Sequence, residues 1–212
     1  MYQAFLFDLD GTIIDSEMIG LRALQETLAE LGLTYELDEL RFSLGITSYK
    51  TMEMLNVKDI PAAIKICVEK EKPYMSKVPI FEGMRDVIAQ LPACGIVTSK
   101  TAEEMNDSFY LLGIDHYFQA VVCASDTSKH KPDPEPLELG LRRMDCTADN
   151  AIYIGDSVYD MKCAKAAGVD FGLALWGAKS ASGFEDARYI FETPHDIMKL
   201  LDEPAKSELA RK

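Results

Sequence analysis

The 212-residue chain has no Cys-x-x-Cys pair, no run of Lys and Arg, no long uncharged apolar stretch and a single tryptophan, Trp176. The five cysteines, Cys67, Cys94, Cys123, Cys146 and Cys163, are odd in number and far apart. That pattern excludes a disulfide framework or a zinc site and reads as reduced thiols packed as small apolar residues, as expected for a cytoplasmic protein. With 22 basic against 35 acidic residues the net charge is −13, and the basic residues do not cluster. A nucleic-acid partner is therefore excluded, because such surfaces are built on concentrated positive charge. No segment approaches the ~18 apolar residues of a membrane span. The opening Met1-Tyr2-Gln3-Ala4-Phe5-Leu6-Phe7-Asp8 has no basic leader, so neither a signal peptide nor a membrane partner is expected.

Two nucleotide-binding fingerprints are missing as well. No Gly-x-Gly-x-x-Gly occurs, and the stretch from Gly172 to Ser180 only approaches a phosphate-binding loop, because Ala178 separates Gly177 from Lys179. There is no internal repeat and no low-complexity tract. What remains is ordinary globular material, 48% hydrophobic and 27% charged, long enough for one large domain or for a domain with a modest second one.

Short apolar runs that stop abruptly at polar loops recur along the chain. Ala4–Phe7 ends at Asp8-Leu9-Asp10-Gly11-Thr12, 95–97 at Thr98-Ser99-Lys100, 120–123 at 124–126, and 151–154 at Gly155-Asp156-Ser157. Residues 172–175 and 188–191 complete the set. Each reads as a strand buried on both faces. Between them lie helical periods, with Met105, Phe109 and Leu112 in one helix and Leu137, Leu141 and Met144 in another. This alternation predicts an α/β fold with a parallel central sheet covered on both sides, whose ligands sit beyond the carboxyl ends of the strands.

The alternation is interrupted from Ser16 to Val78. These 63 residues show only helical periodicity, through Leu21, Leu24, Leu28 and Leu31, then Ile60, Ile64, Cys67 and Val68. They read as an inserted helical lid (16–78) over a core made of 1–15 and 79–212, hinged at Asp15-Ser16 and at 78–83. The insertion carries 10 acids and 8 bases, net −2, whereas the other 149 residues carry 25 and 14, net −11. The acidity thus belongs to the core. The tail from Asp202 to Lys212 reads as frayed or partly helical.

Four strand ends carry the chemistry. Gly11 lets the chain turn after Asp8, so that Asp8 and Asp10 need not point to opposite sides. Asp156 and Asp160, four residues apart, are expected on one face of the helix that starts there. Gathering Asp8, Asp10, Asp156 and Asp160 at one sheet edge is unfavourable without a cation, and a hard divalent ion with oxygen ligands, Mg²⁺, resolves the repulsion. Thr98 and Ser99 offer hydroxyl and N–H donors, and Lys131 a point charge. A metal, donors, an ammonium and a free carboxylate around one spot suit phosphoryl transfer, with Asp8 as nucleophile and Asp10 as acid and base.

The motifs Phe7-Asp8-Leu9-Asp10-Gly11-Thr12, Val97-Thr98-Ser99-Lys100, Lys131-Pro132-Asp133-Pro134 and Ile154-Gly155-Asp156-Ser157-x-x-Asp160 resemble, in order and spacing, those of the haloacid dehalogenase superfamily. The helical insertion resembles the cap of its phosphoglycolate phosphatase and β-phosphoglucomutase branch. The resemblance implies a Rossmann-like three-layer sandwich and an aspartyl-phosphate formed at Asp8. Asp10 would protonate the leaving oxygen and later deprotonate water. Mg²⁺ would be held by the Asp8 side chain, the Asp10 main-chain carbonyl and Asp156, with Asp160 in support. Thr98 and Lys131 would bind the phosphoryl group, with Ser99 contributing its N–H where the family often has Asn.

The resemblance thus implies a cytoplasmic phosphatase, a monomer or small homo-oligomer, acting on a small phosphorylated metabolite. The presence of Asp10 separates it from dehalogenases, which lack this acid. A pyrophosphatase or a sugar-phosphate mutase are the alternatives. Mutases of the branch carry a basic residue just after the cap glycine, where this chain has only Lys50, displaced from Gly45. A phospho-receiver switch gathers similar groups but has no place for the insertion. His130, Lys100 and Trp176 read as a loop residue, a solvated lysine and a packing residue. Arg41, Thr47, Ser48, Tyr49 and Lys50 read as structural rather than substrate-contacting.

Overall fold

The structure is a computed structural model, and it describes residues 1–201. The tail from Asp202, expected to be frayed or partly helical, lies outside the described residues.

Six strands form one parallel sheet: β1 (Ala4–Phe7), β2 (Cys94–Val97), β3 (Phe118–Val122), β4 (Ala151–Gly155), β5 (Asp170–Ala174) and β6 (Tyr189–Phe191), in the order β3-β2-β1-β4-β5-β6. All six apolar runs seen in the sequence are strands, because a parallel sheet between helices needs apolar side chains on both faces. The alternation of β1 shows this directly. Phe5 and Phe7 enter one core with Ile96, Ile152 and Ile154, while Ala4 and Leu6 enter another with Val97, Val122 and Tyr153. Two cores on two faces make the expected Rossmann-like three-layer sandwich.

Between β1 and β2 the described chain is helical, with α1 (Glu17–Glu30), α2 (Ser48–Met54), α3 (Ile60–Met75) and a 3₁₀ segment at Leu37–Ser43. Leu21, Leu24, Leu28, Leu40, Met52 and Cys67 form a third apolar cluster with its own interior. Leu31, expected on the same stripe, is instead 43% exposed, because α1 stops at Glu30 and Leu31 only caps it. The two chain crossings into this segment pair with each other. Asp15 N–H donates to the Pro79 carbonyl and Phe81 N–H to that of Ile13.

The remaining helices are α4 (Met84–Gln90), α5 (Ala102–Asn106), α6 (Glu135–Arg143), α7 (Val158–Ala166) and α8 (Leu175–Ala178). α6 and α7 cover one face of the sheet through Leu137, Leu141, Met161 and Ala164, and α4 covers the other through Val87 and Ile88. The helix expected through Met105, Phe109 and Leu112 is broken. α5 ends at Asn106, Ser108 leaves the helical region, and Phe109–Leu112 is a separate 3₁₀ turn. The Ser108 hydroxyl donates back to the Glu104 carbonyl, the local competition by which serine ends helices. No described helix is long and apolar enough to cross a membrane.

Candidate active site

β1 and β4 are neighbours although two strands, β2 and β3, separate them in sequence, so the crevice for ligands opens at their carboxyl ends. Asp8 leaves β1 there and Asp156 leaves β4. Asp8 is anchored by its N–H to the Ile154 carbonyl at 2.9 Å, and the chain then folds back, with the N–H groups of Ile13 and Ile14 donating to the Leu9 carbonyl. Gly11 makes this turn with φ +77°, and a Cβ there would stand 2.3 Å from an Asp156 carboxylate oxygen. Only glycine meets both conditions.

The turn sends the two motif acids to different neighbours. Asp8, Asp156 and Asp160 are all buried and present carboxylate oxygens within 4.8 Å of one another. The Asp10 carboxylate stands outside that cluster, accepting from the Ser16 hydroxyl at 2.5 Å and facing the Lys100 ammonium at 3.3 Å. Asp156 is not on a helix with Asp160 as expected, because α7 begins only at Val158. It stays in the turn after β4, accepting from the buried Thr12 hydroxyl at 2.8 Å.

Lys131 reaches the cluster from the loop before α6. Its side chain is 1% exposed, and its ammonium donates to Asp8 Oδ1 at 2.8 Å, Asp160 Oδ1 at 2.7 Å and the Tyr153 hydroxyl at 2.9 Å. Burial opposes that charge, but Asp160 and Asp8 outweigh it and hold the ammonium above its ordinary pKa. Burial pushes the Asp8 carboxyl up, Asp160 adds to the rise, and Lys131 pulls it back. The Asp156 carboxyl is also pushed up, through burial and then the charges of Asp8 and Asp160. Asp160 is saturated by its neighbours. Its Oδ1 meets Lys131 and Tyr153, and its Oδ2 accepts from the Ser157 N–H and hydroxyl. It therefore fixes Lys131, while Asp8, Asp156 and Asp160 together form the acidic group whose oxygens could hold a cation.

A cavity of about 130 Å³ opens above this cluster. Its floor is Asp8, Asp156, Thr98, Ser99 and Lys100 from the sheet edge, and its roof comes from α1, α2, α3 and the 43–46 turn. Thr98 is buried, and its Oγ1 accepts from the Lys100 N–H. The Ser99 hydroxyl donates to the Gly45 carbonyl of the roof at 2.9 Å.

Lys100, expected to be solvated, is a correction: its side chain is 12% exposed and lines the cavity, because Asp10 draws it inward. Of the helical residues named beforehand only Ser48 faces the cavity, where it donates to Glu104. Thr47 caps α2, Lys50 pairs with Glu53, Arg41 pairs with Asp38 and Tyr49 is exposed. His130 does not line the cavity.

Tyr153 and Gly177 were not singled out. The Tyr153 hydroxyl lies 2.9 Å from both the Val97 carbonyl and Asp160. A tyrosine inside the aliphatic run 151–154 was the available signal, since a buried phenol needs a partner. Gly177 admits no side chain, because its Cβ would stand 1.9 Å from the Gly11 carbonyl oxygen. Trp176 packs on Phe81 as expected and also donates to the Thr12 carbonyl, steadying the same turn.

Carboxylates, a buried ammonium and a strand-end hydroxyl below a cavity roofed by helices define a hydrolase of the phosphoryl-transfer class. Comparison with known proteins agrees: the haloacid dehalogenase-like hydrolase family matches residues 5–174, and the chain belongs to that family as one of its phosphatases. It is 31% identical to pyrophosphatase PpaX of Bacillus velezensis over 93% of this chain and 95% of the relative. It is 30% identical to the phosphoglycolate phosphatase of Aquifex aeolicus over 94% and 97%. A hydrolase from Pseudomonas syringae shares the fold at a TM-score of 0.87, with 22% identity, covering 97% of this chain and all of that one.

Proposed function

We propose that the protein is a Mg²⁺-dependent phosphatase of a small phosphorylated metabolite, working through an aspartyl-phosphate at Asp8. The observation that carries this reading is the Asp8 carboxylate itself, buried at the cavity floor with one oxygen held by Lys131 and flanked by Asp156. The donor set is all hard oxygen and fits Mg²⁺. Asp8, Asp156 and the Asp10 main-chain carbonyl would hold the ion, which supplies charge neutralisation at the transferring phosphoryl group when bound.

The chain's own residues do the rest. Thr98 binds a phosphoryl oxygen, and Lys131 holds Asp8 in line and turns one of its three donors to the phosphoryl group when substrate binds. The Asp8 oxygen forms a bond to phosphorus as the bond to the leaving oxygen breaks, and Asp10 gives that oxygen its proton. Asp10 then takes a proton from water, whose oxygen displaces Asp8 and releases orthophosphate. Residues 16–78 act as a cap that excludes bulk water, hinged where 13–15 pair with 79–81.

Phosphoglycolate and pyrophosphate are the first substrates to test, on the names of the relatives. A mutase outcome is disfavoured, because Lys50 is paired with Glu53 away from the cavity. The test is orthophosphate release from a panel of phosphometabolites with Mg²⁺ by wild type and Asp8→Asn, with mass spectrometry of acid-quenched protein for a phosphorylated aspartate. Asp8→Asn is expected to remain folded and lose essentially all turnover. Wild-type rates in Asp8→Asn would overturn the mechanism, and isomerised sugar phosphate without net release would replace phosphatase by mutase.

A further inference from the structure

The cavity above Asp10 holds a second set of charges, which the phosphoryl chemistry does not use. Glu71 lines it from α3 and Glu104 from α5, both acting on the charge of Lys100. Glu104 is fully engaged, taking Thr101 N–H and hydroxyl on one oxygen and the Ser48 hydroxyl on the other. Glu71 is not. Its one hydrogen-bond partner among the described residues is the weak Cys67 thiol, 3.7 Å from Oε1. Burial pushes its carboxyl up, and Lys100, drawn to Asp10, opposes that rise only through space.

We infer that Glu71 selects the leaving group, and that the metabolite carries hydroxyl or ammonium donors, not a second anion, on the part that departs. The inference rests on the phosphatase reading above and deepens it. A pocket for a second phosphate or carboxylate is built from arginine forks or several ammonium groups. Among its lining residues this cavity has no arginine and one lysine, whose neighbours are Asp10, Glu71 and Glu104. A second anion would meet one ammonium already shared among three carboxylates. An alcohol or amine would instead give the Glu71 carboxylate the strong donor it lacks, and the apolar Leu21, Leu24 and Met52 close the cavity around a short carbon chain. This departs from both names carried by the relatives, since phosphoglycolate and pyrophosphate each place a negative group at that end.

The test compares kcat/KM with Mg²⁺ for O-phosphoethanolamine, glycerol 1-phosphate, 2-phosphoglycolate and pyrophosphate, using p-nitrophenyl phosphate as the generic control, on wild type and Glu71→Gln. In wild type at least one donor-bearing substrate is expected to exceed both anionic ones by about tenfold or more, the scale of one hydrogen bond to a charged group. Glu71→Gln is expected to shrink that ratio by about tenfold while p-nitrophenyl phosphate turnover stays near wild type. Preference for phosphoglycolate or pyrophosphate by wild type overturns the inference and leaves the phosphatase intact. The same holds if the control is hydrolysed but neither donor-bearing substrate is, or if Glu71→Gln leaves the ratio unchanged. No hydrolysis of any of the five overturns the phosphatase reading itself.

Discussion

Lys131→Met gives the sharpest test of how the site is held together. The substitution keeps most of the side-chain volume and removes the one ammonium that bridges Asp8 and Asp160 at 2.8 and 2.7 Å. Asp160 is completely buried and does not line the cavity, so no water replaces its lost donor, whereas Asp8 meets the cavity with its other neighbours unchanged. Breaking a buried pair by removing one partner costs about 3–5 kcal/mol. For a chain of this size that corresponds to a fall in Tm of roughly 6–20 °C. The assay is thermal and urea unfolding in chelator, so that no divalent ion masks the loss.

The pH dependence separates this cause from lost packing. Asp8 already has a folded pKa above its unfolded value, through burial and then Asp160, with Lys131 opposing. The folded chain therefore binds the extra proton, and the stability contributed by Asp8 falls as pH rises from its unfolded pKa, about 4, through the folded one. Without Lys131 the folded pKa climbs further, so the deficit of the variant should widen from about pH 5 to about pH 7.5 and narrow again on acidification. Adding Asp160→Asn to the variant should recover part of the loss at the higher pH, since it removes the charge that Asp8 faces. A deficit below about 1 kcal/mol at pH 7.5, or one equal at both pH values, would refute the reasoning, because packing loss alone carries no proton linkage.

Mg²⁺ affinity should strengthen as pH rises through the mildly acidic range, because Asp8 and Asp156 both have raised pKa values and must release protons to bind a cation. Calorimetry in buffers of different ionisation enthalpy would show the released protons, and a pH-independent affinity would count against those two ligands. Gly177→Ala should cost about 1–3 kcal/mol, the usual penalty of overpacking. It should also weaken Mg²⁺ binding, since its Cβ falls 1.9 Å from the Gly11 carbonyl oxygen and 2.9 Å from Asp156 Cβ; unchanged Mg²⁺ affinity would sever that link. Ser157→Ala should cost about 1 kcal/mol as a lost helix cap and also lower kcat by freeing Asp160 Oδ2, with Ser157→Thr restoring both. A stability loss with unchanged kcat would leave Ser157 as a cap alone.

The sheet was legible because its central strands are buried on both faces, so that Ala4–Phe7 and 151–154 appear as unbroken apolar runs ending at acids. The helices α1 and α3 were legible from the apolar period of residues 16–78. The break at Ser108 was not, because the residues around it keep a helical spacing and only the hydroxyl's bond to the Glu104 carbonyl decides the matter. Lys100 was misread for a different reason. Its burial depends on Asp10, which the pairing of β1 with β2 brings to it, and on Glu71, which meets it only once the helical segment folds over the sheet. Tyr153 was hidden inside a strand whose neighbours are all aliphatic. Local pattern thus located the acids that end strands, and missed the groups whose role is set by a distant partner.

Asp160 shows why the bland and the chemical readings of one residue need not compete. A lone acid after a strand is ordinarily a turn or cap residue, and Asp160 is one: with Ser157 it forms the capping box that starts α7, each side chain bonding the other's N–H. That box fixes Oδ2 and so leaves Oδ1 in one orientation, against Lys131 and Tyr153. Lys131, fixed in turn, holds Asp8 by Oδ1. The spacing Ser157-x-x-Asp160 is therefore a helix-start signal and a site signal for one physical reason. The helix terminus provides the rigid donors that a buried carboxylate needs before it can orient an ammonium.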